Sequence, residues 1–270
     1  MFKKVFLAVA LTITASFATW DYFPIRPAGS GTGEAGLYYD WDHSWSQAGI
    51  SAGARFSLLP VLELSVVGFG FQFWGEEDCD GCANGGRGLR DVTVGGRFQI
   101  TPMVSAFLDA HLPIGREESD GYATTPPGND EFALYFGAQF SMDVKEAPGL
   151  KFGTEAGLDW GFEHDWNGHK NFERGLELHM AGEMDYTVPK SQVTPYLGMK
   201  FKLQLTEDTW DVGKEEHGNN DDFDDGQFNF WLGVAVNINP ALYVKAHLMF
   251  RSGDMDGEAT GLYMAAGFNF

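Results

Sequence analysis

The chain has 270 residues, 15% of them aromatic, with 35 glycines, 11 prolines and two cysteines. Its formal charge of −20 makes nucleic acid a very poor partner and favours divalent cations, cationic solutes or basic surfaces. No segment approaches the roughly 18 uninterrupted apolar residues of a membrane-spanning helix, so a bilayer could be crossed only by a closed barrel of strands.

Residues 1–18 read as a secretory signal peptide. Lys3 and Lys4 supply the positive start, Val5 to Ile13 the apolar run, and Ser16-Phe17-Ala18 the small-x-small cleavage pattern. Residues 19–33 read as an N-terminal periplasmic segment. Gly31 to Gly36 matches the dinucleotide pattern G-x-G-x-x-G, but no strand precedes it and no helix follows. From Glu34 to Phe270 the polarity alternates through twelve segments, the repeated signal of a transmembrane barrel. The expected fold is all-β: a single antiparallel up-and-down transmembrane β-barrel of about 12 strands in the outer membrane, with short periplasmic turns and long acidic extracellular loops.

In the second segment Gly49-Ile50-Ser51-Ala52-Gly53 fits the hydrolase pattern G-x-S-x-G, yet Ser51 lies mid-strand and lacks the strand-to-helix turn that motif needs. The third segment leaves two readings open. With Leu62, Leu64 and Val66 facing lipid, Phe69, Phe71 and Phe73 fall inside, unless a bulge at Gly68 or Gly70 swaps the faces. The connection that follows holds Cys79 and Cys82, which in an exported chain are expected to form a small-loop disulfide. No second Cys/His pair follows at the spacing of a zinc site.

The fourth segment points Val92, Val94, Phe98 and Ile100 outward and Asp91, Thr93, Arg97 and Gln99 inward. The sixth is the most regular: Phe132, Leu134, Phe136, Ala138, Phe140 and Met142 oppose Glu131, Tyr135, Gly137, Gln139, Ser141 and Asp143. In the eighth, Leu176, Leu178, Met180 and Met184 oppose Glu177, His179, Glu183 and Asp185. Before it, His164, Asp165 and His169 sit in a polar connection where nothing fixes a metal geometry. The stretch Glu207–Gly226 carries nine acidic residues against Lys214 alone. It reads as a solvated loop extended by self-repulsion, with divalent cations as its candidate partner. The last segment places Leu262, Met264, Ala266 and Phe268 at every second position and ends on Phe270. Phe268 and Phe270 thus form the expected assembly signal for the outer-membrane barrel assembly machinery, and lipid and lipopolysaccharide are the expected surroundings.

Connections alternate between short and long, which is the outer-membrane pattern. Aromatics gather beside both: Trp41, Trp74, Trp160, Phe162, Phe228 and Phe250 near the long loops, Phe140, Tyr196, Phe268 and Phe270 near the short turns. Inward parity collects the candidate pore-lining residues Arg55, Glu63, Asp91, Arg97, Asp109, His111, Asp143, Glu155, Asp159, Glu177, Glu183, Asp185, Lys200, Lys202, Lys245 and Arg251. Acids concentrate on strands five to eight and bases on strands two, four, nine and eleven, so an acidic wall partly faces a basic one across the lumen.

The run Gly88-Leu89-Arg90-Asp91-Val92-Thr93-Val94-Gly95-Gly96-Arg97-Phe98 resembles the G-x-x-D-x-T-x-G-x-K/R-aromatic strand of an outer-membrane transporter family labelled for the MetA pathway of phenol degradation. The next strand ends His111-Leu112-Pro113-Ile114-Gly115, similar to that family's Leu-Pro-Thr-Gly with Ile114 in place of threonine. The resemblance covers one hairpin and implies uptake of small, often hydrophobic compounds by a non-enzymatic barrel.

The functional expectation is an outer-membrane channel or transporter for small solutes, hydrophobic or cationic, with no catalytic residue, metal or cofactor. The alternative is a non-conducting structural or adhesion barrel acting through its extracellular loops. An outer-membrane lipid hydrolase would need a lipid-facing Ser/His pair, whereas His111, His179 and His247 all carry inward parity.

Overall fold

The computed structural model describes residues 22–43, 45–77, 87–115, 128, 130–166, 169–212, 215–218, 226–253 and 258–270. Twelve strands form the wall: β1 (Gly31–Trp41), β2 (Trp45–Leu59), β3 (Leu62–Glu77), β4 (Val92–Thr101), β5 (Val104–Leu112) and β6 (Ala133–Asp143). They continue as β7 (Leu150–Gly161), β8 (Glu177–Tyr186), β9 (Val193–Gln204), β10 (Gly226–Asn239), β11 (Leu242–Gly253) and β12 (Ala259–Asn269). Each pairs antiparallel with the next, and β1 pairs with β12 from Thr32↔Asn269 to Trp41↔Thr260. Gly31 N–H donates to Phe270 O at 2.8 Å and Phe270 N–H to Gly31 O at 3.0 Å, sealing the seam at its lower end. Closure gives each of the twelve wall strands a partner on both sides, which is what a hydrocarbon medium demands of a sheet.

The period-2 alternation becomes an inside and an outside. Leu37, Phe98, Leu108, Met180, Leu232 and Met264 are exposed on the outer surface, while Glu63, Gln72, Gln139, Glu183 and Asn229 are buried within. A soluble protein would hide the first set and wet the second. Among the described residues no helix is long and apolar enough to cross a membrane.

β3 resolves the ambiguity at its phenylalanines. Gly68 has φ +81°, a conformation that only glycine adopts without strain, and the β2–β3 register breaks between Ala52 and Ala54 opposite it. The bulge shifts the parity, so Phe69, Phe71 and Phe73 face outward and Gln72 turns into the lumen.

Five shorter strands lie beyond the wall. Gly88–Leu89 pairs with β3, and His164–Trp166, His169–Glu173, Thr209–Val212 and Glu215–Gly218 form a separate four-stranded sheet. Part of the acidic stretch expected to be an extended loop is therefore paired backbone, with Lys170↔Asp211 and Asp211↔Glu216 in register. The signal segment, Cys79, Cys82 and Asp221–Asp225 lie outside the described residues.

The N-terminal segment departs from its expected position. β1 starts at Gly31, and Tyr22, Phe23 and Arg26 are buried inside the barrel. Pro24 and Pro27 remove two backbone donors from this stretch, so it cannot extend the sheet as a strand. It turns instead at Pro27–Ser30, where Ser30 N–H donates to Pro27 O at 3.1 Å, and enters the lumen.

Candidate functional site

The inner wall is built from polar side chains that mostly find their partner on the neighbouring strand. Arg97 on β4 forks onto Asp109 on β5, with Nη2 donating to Oδ2 at 2.9 Å and Nη1 contacting Oδ1. Its guanidinium also lies 5.1 Å over the Phe107 ring. Arg55 Nη1 meets Glu63 Oε1 at 3.4 Å, and Glu63 Oε2 accepts from Ser57 Oγ at 2.9 Å. Lys245 Nζ lies 2.9 Å from Glu34 Oε1, and Glu34 also accepts from Tyr243 Oη at 2.7 Å and Tyr263 Oη at 3.0 Å. Arg97 and Arg55 are thus neutralised within one strand spacing, because side chains of the same parity on paired strands lie closest, and Lys245 reaches Glu34 over β12.

Other carboxylates accept from neutral donors. Glu155 takes Tyr135 Oη at 2.5 Å and Gln139 Nε2 at 2.6 Å, and Glu183 takes Trp231 Nε1 at 2.6 Å. Asp185 is buried, and Lys200 Nζ sits 5.3 Å over the Tyr135 ring. Lys202 and Arg251 are half-buried, with Lys202 in register with His179 and Arg251 with Asn229. His111 Nδ1 lies 2.8 Å from Thr93 Oγ1. Among the described residues, the buried side chains include eight carboxylates against four arginines and lysines.

Two candidates are displaced from the lumen. The Asp143 side chain is 78% exposed at the short-turn rim, 3.7 Å from Lys151, because β6 ends there and the wall no longer encloses it. Asp91 precedes β4, and its Oδ1 accepts from Gly115 N–H at 2.8 Å, which pins the upper corner of the β4–β5 hairpin. Tyr196, expected in the short-turn aromatic belt, is 3% exposed and turned inward, where its hydroxyl meets His247 Nδ1 at 3.0 Å. Phe268 and Phe270 do face outward, stacked 6.3 Å apart, with Phe270 also stacked on Phe56.

Sequence reasoning missed Arg174, which lies between two short segments with no strand parity to assign it. It gathers Glu131 at 2.9 Å, Asp159 at 3.2 Å and Glu177. Burial opposes its charge, but Glu177, Asp159 and Glu131 together hold the guanidinium above its ordinary range. Burial also pushes the Glu131 carboxyl above the usual carboxylate range, against the pull of Arg174. Asp159, Glu177 and His179 lie close enough to share a metal ion. Arg174 already answers two of those carboxylates, so the cluster reads as a clamp across β6, β7 and β8.

Large rings line the lumen without filling it, because they lie against glycines on the adjoining strand. A Cβ on Gly49 would meet the Tyr38 ring, one on Gly198 the Trp231 ring, one on Gly233 the Tyr196 ring, and one on Gly267 the Tyr243 ring at 2.0 Å. In each case ring and glycine are directly paired across the ladder. This is where part of the glycine count goes. Gly267→Ala should lift Tyr243 from the wall, break its bond to Glu34 and cost about 1–3 kcal/mol through overpacking. Single-channel conductance and a urea midpoint would check this; both unchanged would refute it.

The inner end of the N-terminal segment reaches this wall. Tyr22 stacks on Trp231 at 5.9 Å and 19°, and with Phe23 it forms one apolar cluster with Ala181, Tyr196 and Ala235. Ile25 N–H donates to Gln99 Oε1 at 3.2 Å and Arg26 N–H to Glu63 Oε2 at 3.1 Å. The Arg26 guanidinium donates to Asn269 Oδ1 at 2.7 Å and contacts Thr32.

A closed barrel with a polar interior and an apolar exterior is thus on the page, and its relatives share it. The model of the family described as "Putative MetA-pathway of phenol degradation" matches residues 15–255. The chain belongs to that family. No match was found among curated protein sequences. Among solved structures, the COG4313 outer membrane channel from Pseudomonas putida F1 aligns with TM-score 0.69 at 10% identity, covering 94% of this chain and 100% of that one. The NanC porin aligns with TM-score 0.52 at 11% identity over 88% and 98%. The beta domain of the Bordetella autotransporter BrkA aligns with TM-score 0.53 at 13% identity over 90% and 100%. These likenesses establish an outer-membrane barrel fold. For this MetA-pathway family member, the structure also explains the hairpin motif. Thr93 meets His111, Gly95 leaves the space where a Cβ would strike Asp109 Oδ1, and Arg97 grips Asp109. The motif is a clasp between β4 and β5.

Proposed function

We propose that the chain is a non-enzymatic outer-membrane channel passing small solutes, with cations preferred over anions. The observation that carries this reading is the barrel interior, where among the described residues eight buried carboxylates stand against four buried arginines and lysines. In a narrow lumen of low dielectric such an excess concentrates counter-ions of the opposite sign. The aromatic rings laid along the same wall offer flat faces to small ring compounds and to cations alike. The family description points to aromatic solutes, and the phenolic side chains facing the lumen suit that class. The rim residues Lys200, Lys202 and Arg251 belong to the path in this reading, as do Glu177 and His179.

Purified protein reconstituted in planar bilayers under a potassium chloride gradient tests the proposal. The expected reversal potential has the sign of a cation-selective pore. Anion selectivity would overturn the cation preference. Silence at every voltage, in the intact chain and in a Tyr22→Ala/Phe23→Ala variant, would overturn the channel itself.

A further inference from the structure

Three consecutive strands of the wall carry no acid. β9, β10 and β11 contain neither aspartate nor glutamate, in a chain with 38 acidic residues against 18 lysines and arginines. Their inward positions hold Lys200, Lys202, Lys245 and Arg251 instead. Lys245 is committed to Glu34 at 2.9 Å. The other three stand toward the long-loop end, around two amides. Asn229 is in register with Lys200 on one side and Arg251 on the other, and Gln227 with Lys202. Directly paired side chains on one face of a sheet are near neighbours, so a patch of positive charge lies over β9, β10 and β11.

The centre of this patch is unfinished. Asn229 is 9% exposed and its buried Oδ1 has no hydrogen-bond partner. No hydrogen bond to any described residue fixes the amide, so either end can turn to an incoming group. Arg251, half-buried beside it, makes no ion pair or hydrogen bond among the described residues. Arg55, Arg97 and Arg174 each grip a carboxylate of the wall, and Arg251 has none within its own three strands. Lys200 Nζ lies 5.3 Å over the Tyr135 ring, a contact its flexible stem can exchange. One row below, Met249 and Trp231 are in register with each other, two residues from Arg251 and Asn229 and on the same face. Met249 is half-buried against the apolar cluster.

We propose that Arg251, Lys200 and Lys202, with Asn229 between them, form a docking site for the carboxylate of a small organic acid whose apolar body lies toward Met249. The proposal rests on the channel reading above and narrows its solutes to aromatic carboxylic acids. The planar guanidinium presents a fork that matches a carboxylate, the lysines add point charges, and the Asn229 amide adds a donor. The apolar row beneath accepts the ring without leaving a polar group stranded. A preference for small cations and a site for an organic anion are compatible. Selectivity among simple ions follows the summed charge of the lumen, whereas a docked carboxylate responds to the groups within a few ångströms. The carboxylates of β7 and β8 repel the same anion, which leaves β10 as the wall it approaches.

The test titrates purified protein in detergent with benzoate by calorimetry and, in parallel, adds benzoate to the reconstituted protein in planar bilayers. Benzamide serves as the uncharged ring of the same size. Benzoate should bind and lower the open-channel current at concentrations where benzamide does neither. Arg251→Gln should raise the half-saturating benzoate concentration by about tenfold or more, the loss of one charge-assisted hydrogen bond. Asn229→Leu, which keeps the volume and removes the amide, should weaken binding in the same direction and stands in if the first variant fails to fold. Equal binding of benzoate and benzamide, or equal benzoate binding by parent and both variants, would overturn the site while leaving the channel intact. Calorimetry needs no current, so benzoate binding that Arg251→Gln weakens in a silent protein would keep the site and remove the channel. Neither binding nor current would remove both.

Discussion

Asp109→Ala is expected to destabilise the barrel by about 3–5 kcal/mol, the loss seen when one partner of a buried ion pair is removed. The size follows from what is left behind. Arg97 and Asp109 are both 7% exposed, and the guanidinium points into the space that Gly95 leaves open. Without the carboxylate the Arg97 charge stays enclosed between β4, β5 and the Phe107 ring, stripped of both contacts to Asp109. Water reaching it would have to enter a wall that the clasp keeps closed. Replacing both partners, as in Arg97→Met/Asp109→Leu, should cost far less, because no uncompensated charge then remains. Reversible urea unfolding in lipid vesicles would measure both. A loss below about 1 kcal/mol for Asp109→Ala would show the pair to be well solvated and would remove the clasp from the account.

Leu37→Lys should cost about 2–4 kcal/mol, the penalty for a lysine near the middle of a lipid-facing barrel surface. Leu37 stands outward on β1, in register with Met264 on one side and Ile50 on the other, all three about half exposed. The ammonium would have to reach the headgroup level or pull water into the hydrocarbon. Leu37→Phe keeps the surface apolar and should stay within about 0.5 kcal/mol of the parent. Vesicle unfolding, with the heat-dependent shift of the folded band on a gel as a companion, distinguishes them. Equal stability of the lysine and phenylalanine variants would mean that water, and not lipid, covers this face.

Both predictions concern the wall, and the wall was the most legible part of the chain. Alternation of side chains is a local property with a period of two, so Phe136, Phe140 and Met142 could be separated from Tyr135, Gln139 and Ser141 by counting alone. The break in β3 showed the limit of counting. A bulge shifts parity by one residue, and whether Gly68 forms one depends on the register with β2 opposite it. The same limit applies at the rims. Asp143 has inward parity on paper, but a side chain at the end of a strand has no wall around it.

The carboxylates of the lumen were identifiable from parity, and their partners were not. An acidic wall partly facing a basic one was the expectation; in the structure Arg97 meets Asp109 and Arg55 meets Glu63 on neighbouring strands, and Lys245 on β11 meets Glu34 on β1 across β12. Pairing across one or two strand spacings keeps opposite charges within a few ångströms, and at that range attraction in a low-dielectric wall outweighs any pull from the far side. Arg174 carried no periodicity that could have marked it.

What the amino-acid order determined by itself is the class of object: a barrel of alternating strands, apolar on one face, with aromatic strand ends. Each of those properties is set by neighbours two residues apart or by composition. Only the tertiary structure decided what occupies the inside. Tyr22 meets Trp231, Arg26 meets Asn269 and Tyr243 meets Glu34 across more than two hundred residues of chain. Those meetings exist because closing the ring brings β1 against β12 and leaves a lumen narrow enough for one short segment to touch both walls.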